Sequence, residues 1–182
     1  MGQAKRRAGQ WNTFYDALSA EERTIADVSR ATYSRFIAPS RAMGMCYRVT
    51  FFLAVYLQNK YGVSATPAVG FAHDETGPLM ASHAWLEFNG KKTDLTLGFT
   101  EHPDVQLQGQ VLILDHVHQP GHKYSYHREL TDAGAEALER LRARTGGRQI
   151  VDAKQAEHAA MIERSRDFID PALIVLILDH AA

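Results

Sequence analysis

Three residue types in this chain, met in the order Cys46, His83, Asp94, could do nucleophilic chemistry together. Cys46 is the only cysteine, and it stands where a loop-like segment gives way to the apolar run CYRVTFFLAVYL. A thiol at the head of a helix faces unpaired amides and the positive end of the helix dipole, both of which favour thiolate. A neighbouring imidazolium favours it more strongly, and a carboxylate behind the imidazole fixes its tautomer and stabilises its charge. The competing reading of Cys46 alone is a buried, inert thiol, since free cysteine is among the most buried residue types. The ordered partners turn the balance toward a nucleophile.

The partners are chosen by a hairpin. Asn89-Gly90 lies between two β-rich runs, and this dipeptide favours a type I′ turn because both central residues take positive φ. Pairing outward sets Phe88 against Lys91, Glu87 against Lys92, Leu86 against Thr93 and Trp85 against Asp94. His83, Trp85 and Glu87 then share a face with Lys92, Asp94 and Thr96. His83 and Asp94 become diagonal neighbours with backbones about 7–8 Å apart, a gap their side chains bridge. The same pair would serve equally as a cross-strand stabiliser, so it carries chemistry only if Cys46 joins it. Trp85 reads as a wall of core or cleft, and Glu87 with Lys92 as an exposed ion pair worth under about 1 kcal/mol.

The stretch GMCYRVTFFLAVYLQNKYGVSATPAVGFAHD, followed by SHAWLEFNGKKTDLTLGF, resembles the transglutaminase-like cysteine-enzyme superfamily. Shared features are Cys at a helix head, a hydrophobic helix ending in a turn, His-Ala-Trp on a strand and Asp on the next. Within it, the wording is similar to the leader-peptide proteases of lasso-peptide maturation. The resemblance covers about Gly44 to Phe99, and the flanks 1–43 and 100–182 match nothing in the pattern. It implies a papain/transglutaminase-like α+β fold, with Cys46 as nucleophile, His83 as general base and acid, and Asp94 as orienter. The reaction implied is acyl transfer at an amide of a peptide or protein, by peptidase or amidase rather than crosslinking action. Transglutaminase and acyltransferase outcomes share the triad, but the Arg-Cys step of arylamine acetyltransferases is absent: Met45 precedes Cys46 and Arg48 follows. An oxyanion hole needs two donors. The Cys46 amide is one; the second is unassigned, with Tyr33 and Trp11 as upstream candidates and Tyr33 also a substrate-cleft candidate.

Two other functions compete. One is a non-catalytic scaffold of the same fold that binds protein or nucleic acid through its basic start or helical tail. The other is a metal site in Asp115, His116, His118, His122 and His127, where His116 and His118 in a His-x-His strand pattern would be the secondary candidates. Pro120-Gly121 splits that group and no second ligand pair has fixed spacing, so no metal or other cofactor is expected. His73-Asp74, in HDETGP, reads as a solvated turn.

These residues need elements to position them. Ser19-Ala-Glu-Glu22 is a capping box that opens a helix running to about Phe36, with Pro39-Ser40 as its break. Cys46 to Lys60 is apolar nearly all round and stops at Gly62, as a central buried helix would. β-rich runs follow at 65–72, 81–88, 91–97, 111–115 and 123–127. Thr131 caps a helix to about Arg144, Gly146-Gly147 interrupts, and a further helix runs from Asp152 to about Phe168. The outline is a basic arm at 1–18, a core at 19–130 and a helical extension at 131–182, all in one α+β domain.

Bulk composition agrees. A chain of 182 residues that is 45% hydrophobic and 23% charged can build one ordinary core. A net charge of -1 gives no general reason to expect nucleic acid or an anionic membrane, the cluster Lys5-Arg6-Arg7 being the local exception. No apolar segment follows the basic start, and the run ALIVLIL at 172–178 is too short to span a bilayer. A single cysteine excludes an internal disulfide, so a reduced cytoplasmic setting is expected. Substrate identity and oligomeric state are left open.

Overall fold

The computed structural model describes residues 2–103 and 106–167. Helices α1 (Gly2–Asp16), α2 (Ala20–Thr32), α3 (Ala38–Ser40) and α4 (Cys46–Tyr61) precede the strands. Strands β1 (Thr66–His73), β2 (Ala81–Phe88) and β3 (Lys91–Thr93) are followed by β4 (Val111–Ile113), β5 (His116–Gln119) and β6 (Ser125–His127). Helices α5 (Asp132–Arg142) and α6 (Gly147–Asp167) close the described chain. The architecture is α+β, with a four-stranded antiparallel sheet in the order β3-β2-β1-β6 and a β4-β5 hairpin beside it.

The capping box forms as the pattern dictates. Ser19 Oγ accepts from the Glu22 amide, and Glu22 Oε2 accepts from the Ser19 amide at 2.9 Å. Glu22 Oε1 also takes Lys91 Nζ at 2.7 Å, which ties α2 to the β2-β3 hairpin. Pro39 does not break the helix. A π turn over Tyr33–Ile37 precedes it, with the Ala38 amide donating to the Tyr33 carbonyl. The wider turn makes room for a residue that cannot donate to the carbonyl four positions back. The chain then leaves the helix at Arg41, in the left-handed region.

Helix α4 ends at Gly62, whose φ of 69° makes the left-handed cap. Leu53, Ala54 and Leu57 of α4 pack with Ile25 and Val28 of α2, with Leu86, Val111 and Ile113 of the strands and with Leu95 just beyond β3. That is the principal core. A second cluster joins Tyr47 and Phe51 of α4 to Val69, Ala84 and to Met161 and Ile162 of α6.

Several expectations change. The basic arm is a helix, α1, whose Trp11, Phe14 and Tyr15 pack on the principal core. The run 91–97 pairs only as far as Thr93, because Asp94 turns to bridge Leu112 and Leu97–Phe99 forms a 3-10 turn. A strand at 116–119 was not foreseen, and α6 begins at Gly147 rather than Asp152. Asp74 is not solvated: Thr76 N and Oγ1 and the Leu107 amide all donate to its buried carboxylate. These bonds outweigh burial and hold its pKa below the usual range. The apolar run 172–178 lies outside the described residues.

Candidate active site

The turn that positions the site is the one read from Asn89-Gly90. Both residues have positive φ, 50° and 76°, and the ladder runs Phe88 to Lys91, Glu87 to Lys92 and Leu86 to Thr93. His83 and Asp94 therefore meet on one face. His83 Nε2 lies 2.7 Å from Asp94 Oδ2, and the two residues are 6% and 2% exposed. The Asp94 backbone is held by reciprocal bonds with Leu112 at 3.0 and 2.8 Å, so the carboxylate is fixed by main chain on one side.

Asp94 is fully engaged. Its Oδ1 accepts from the Thr96 amide and hydroxyl, each at 3.1 Å, and its Oδ2 also accepts from the Tyr126 hydroxyl at 2.8 Å. A buried carboxylate with such donors stays ionised against the pull of burial, and the His83 charge contributes most. Burial opposes charge on His83, but Asp94 outweighs it and the ring pKa rises well above the ordinary histidine value. Cys46 adds to that rise. With Nε2 committed to Asp94, Nδ1 is the ring nitrogen left for the thiol. Cys46 itself is the first residue of α4 and half-buried, and no side chain caps that helix end.

Trp85 is the wall that its face predicts. It is 1% exposed, meets Tyr126 edge-on at 5.1 Å and donates from its indole to Glu87 Oε1 at 2.7 Å. Glu87 pairs with Arg128, not with Lys92, and the Arg128 guanidinium lies over the Trp85 ring. Lys92 instead sits 5.9 Å over the Tyr126 ring. Gly70, opposite His83 on β1, is required here: a Cβ would come within 2.2 Å of the His127 carbonyl and 2.9 Å of Trp85.

A second polar group lies beside the first. Tyr47 and Ser82, each next in sequence to Cys46 and His83, bond to one another and to His158 of α6. Burial raises the Tyr47 pKa and lowers that of His158, so the group is neutral. Met161 and Ile162 of α6 pack against the cluster that Cys46 joins, and Lys154 bonds Glu101 at 2.8 Å beside Gly44.

The upstream candidates sit elsewhere. Tyr33 packs on the principal core and meets His118 edge-on at 5.9 Å, and Trp11 meets His116 and His118. The five-residue His/Asp group is dispersed: His122 bonds the Asp74 carbonyl, His127 bonds Ser125, and Asp115 accepts from the Lys92 amide. Among the described residues, no group of three or more His, Cys, Asp or Glu could hold a metal ion. His116 and His118 are left with aromatic and cationic neighbours, a poor donor set for a metal.

Thr96 and Tyr126 are site residues that the sequence reading missed. Thr96 was legible, since Asp-x-Thr is an Asx-type pattern in which the carboxylate accepts from the backbone two residues on. Tyr126 and His158 carried no local signal, because the β1-β6 pairing and the packing of α6 bring them in. Comparison of the chain with protein-family models, with curated proteins and with solved structures finds no match in any of the three. No helix among the described residues is long and apolar enough to cross a membrane.

Proposed function

We propose that this protein is a cysteine enzyme of papain/transglutaminase-like fold that transfers or hydrolyses an amide acyl group, most simply as a peptidase or amidase. The observation that carries the reading is one buried imidazole with a carboxylate at 2.7 Å on one nitrogen, on a ring whose charge the one thiol of the chain also favours. A stabilising hairpin pair would have no use for the thiol.

In this reading Cys46 Sγ, as thiolate, attacks the carbonyl carbon while His83 holds the proton. The oxyanion is met by the Cys46 amide at the uncapped start of α4. His83 then protonates the leaving amine as the C–N bond breaks, leaving an acyl-thioester. Water gives a proton to His83, attacks the thioester and releases the acid, and Cys46 recovers its starting form. Asp94 keeps the ring oriented and its charge balanced throughout, and Tyr126 and Thr96 hold Asp94. An acceptor amine in place of water would make the reaction a transfer. A reducing, cytoplasmic setting suits an unpaired catalytic thiol.

The test is the rate of Cys46 alkylation by iodoacetamide across pH, in the wild type and in His83→Ala. The wild type should react fast well below pH 8, and the variant only near the free-thiol value of about 8.5. Identical slow profiles would reduce Cys46 to an ordinary thiol and sink the enzyme reading.

A further inference from the structure

A cavity of about 390 Å³ opens between α1 and β5, far in character from the Cys46 site. Its walls include Arg7 and Trp11 of α1, Arg30 of α2, and His116, His118 and Pro120 around β5. Trp11 organises it. The Arg30 guanidinium lies 5.4 Å over the indole, and the His116 and His118 rings meet its edge at 5.5 and 5.1 Å. His116 and His118 are two apart on one strand and so share a face.

Four groups that carry or accept positive charge thus converge, and among the described residues no Asp or Glu lines the cavity. Asp27, three residues before Arg30 on α2, takes the Tyr15 hydroxyl at 2.8 Å, and Asp115, just before His116, takes the Lys92 amide. Tyr33, the other titratable neighbour, meets His118 by ring contact alone. Arg7 and Arg30 are exposed and no described carboxylate pairs with either, so an anion there would meet two unneutralised guanidinium groups. Guanidinium groups match the oxygens of phosphate by shape as well as charge. The volume lies within the range of small-molecule sites and exceeds what a bare anion needs.

We propose that this cavity binds a small phosphate ester, its phosphate held by Arg7 and Arg30 with the two imidazoles as further donors, and its organic part against Trp11. Burial depresses the pKa of both histidines, and Arg30 and His116 add to the effect on His118. A bound phosphate reverses that pressure, so binding takes up protons and tightens as pH falls from 8 toward 6.5. None of the lining residues belongs to the Cys46–His83–Asp94–Tyr126 network, so the two readings stand or fall separately.

The experiment is titration of the full chain with adenosine monophosphate and with inorganic phosphate, followed by tryptophan fluorescence and calorimetry. Arg7→Gln and Arg30→Gln are compared with wild type, with urea midpoints as the folding control. Expected are saturable one-to-one binding of the nucleotide, tighter at pH 6.5 than at pH 8, and a loss of roughly tenfold or more in each variant, the scale of a charged hydrogen bond. Should Arg30→Gln fail to fold, Arg7→Gln on the exposed rim decides the matter. Absence of saturable binding, or variants that bind as wild type does, overturns the proposal. So does affinity that climbs with the length of a single-stranded oligonucleotide, which would mark a nucleic-acid surface instead.

Discussion

Two histidine environments in this protein differ in burial and in the charge beside the ring, and the charge reverses their chemistry. His83 and the pair His116–His118 are all packed against aromatic rings and all partly or wholly shielded from water. His83 has a carboxylate at 2.7 Å, and its charged form is favoured despite deep burial. Burial alone favours the neutral form of His116, and for His118 burial comes first with Arg30 and His116 adding to it. Desolvation acts in the same direction on all three, and of the three His83 alone has a neighbouring carboxylate that overcomes it. A strand position alone therefore says little about what a histidine can do.

The sharpest way to break the comparison is to remove the charge that distinguishes the two sites. Asp94→Ala leaves His83, Tyr126 and Thr96 without their shared partner in a closed site and should cost about 3–5 kcal/mol in urea denaturation. The wild-type pH profile should carry the pair's signature. Asp94, with its pKa lowered, contributes stability above its unfolded value of about 3.9 and loses it as pH falls through the folded value. His83, with its pKa raised, contributes fully below about 6.5 and loses that contribution as pH rises through the folded value. The pair's contribution should thus be greatest between about pH 4 and 6.5, and the alkaline decline should vanish in the variant.

A subtler variant sharpens the comparison. Tyr126→Phe deletes one donor to Asp94 and keeps the ring against Trp85, so a loss of about 1.5–3 kcal/mol is expected, with Cys46 alkylation still His83-dependent. A loss near zero would show that His83 and Thr96 suffice to hold the carboxylate. The smallest effect belongs to the other side. His116 and His118 should weaken the fold as pH falls below about 6.5, because the unfolded chain takes protons more readily. The double variant His116→Asn, His118→Asn should flatten the stability profile between pH 7 and 5 while leaving its alkaline side unchanged.

Local signals were read well where their physics is local. The Ser19–Glu22 box, the Gly62 stop and the Asn89-Gly90 turn involve neighbours within four residues, and each forms as expected. The β2-β3 register followed from that turn, and the register alone put His83 and Asp94 on one face. Errors gathered where distant contacts overrule propensity. Pro39 is accommodated because a π turn precedes it, and the basic start became a helix whose Trp11 and Phe14 rest on the core. The Glu87–Lys92 pairing had the correct register but the wrong partner, since Arg128 arrives from beyond β6.

What the sequence by itself determined is the His83–Asp94 pair, because a two-residue turn and a period of two leave one geometry for residues 83 and 94. Tertiary structure alone decided that Tyr126 reaches its carboxylate from β6 and that α6 packs against the cluster Cys46 joins. Those contacts join segments tens of residues apart. Their geometry depends on how helices seat on a sheet, and no short-range pattern encodes that.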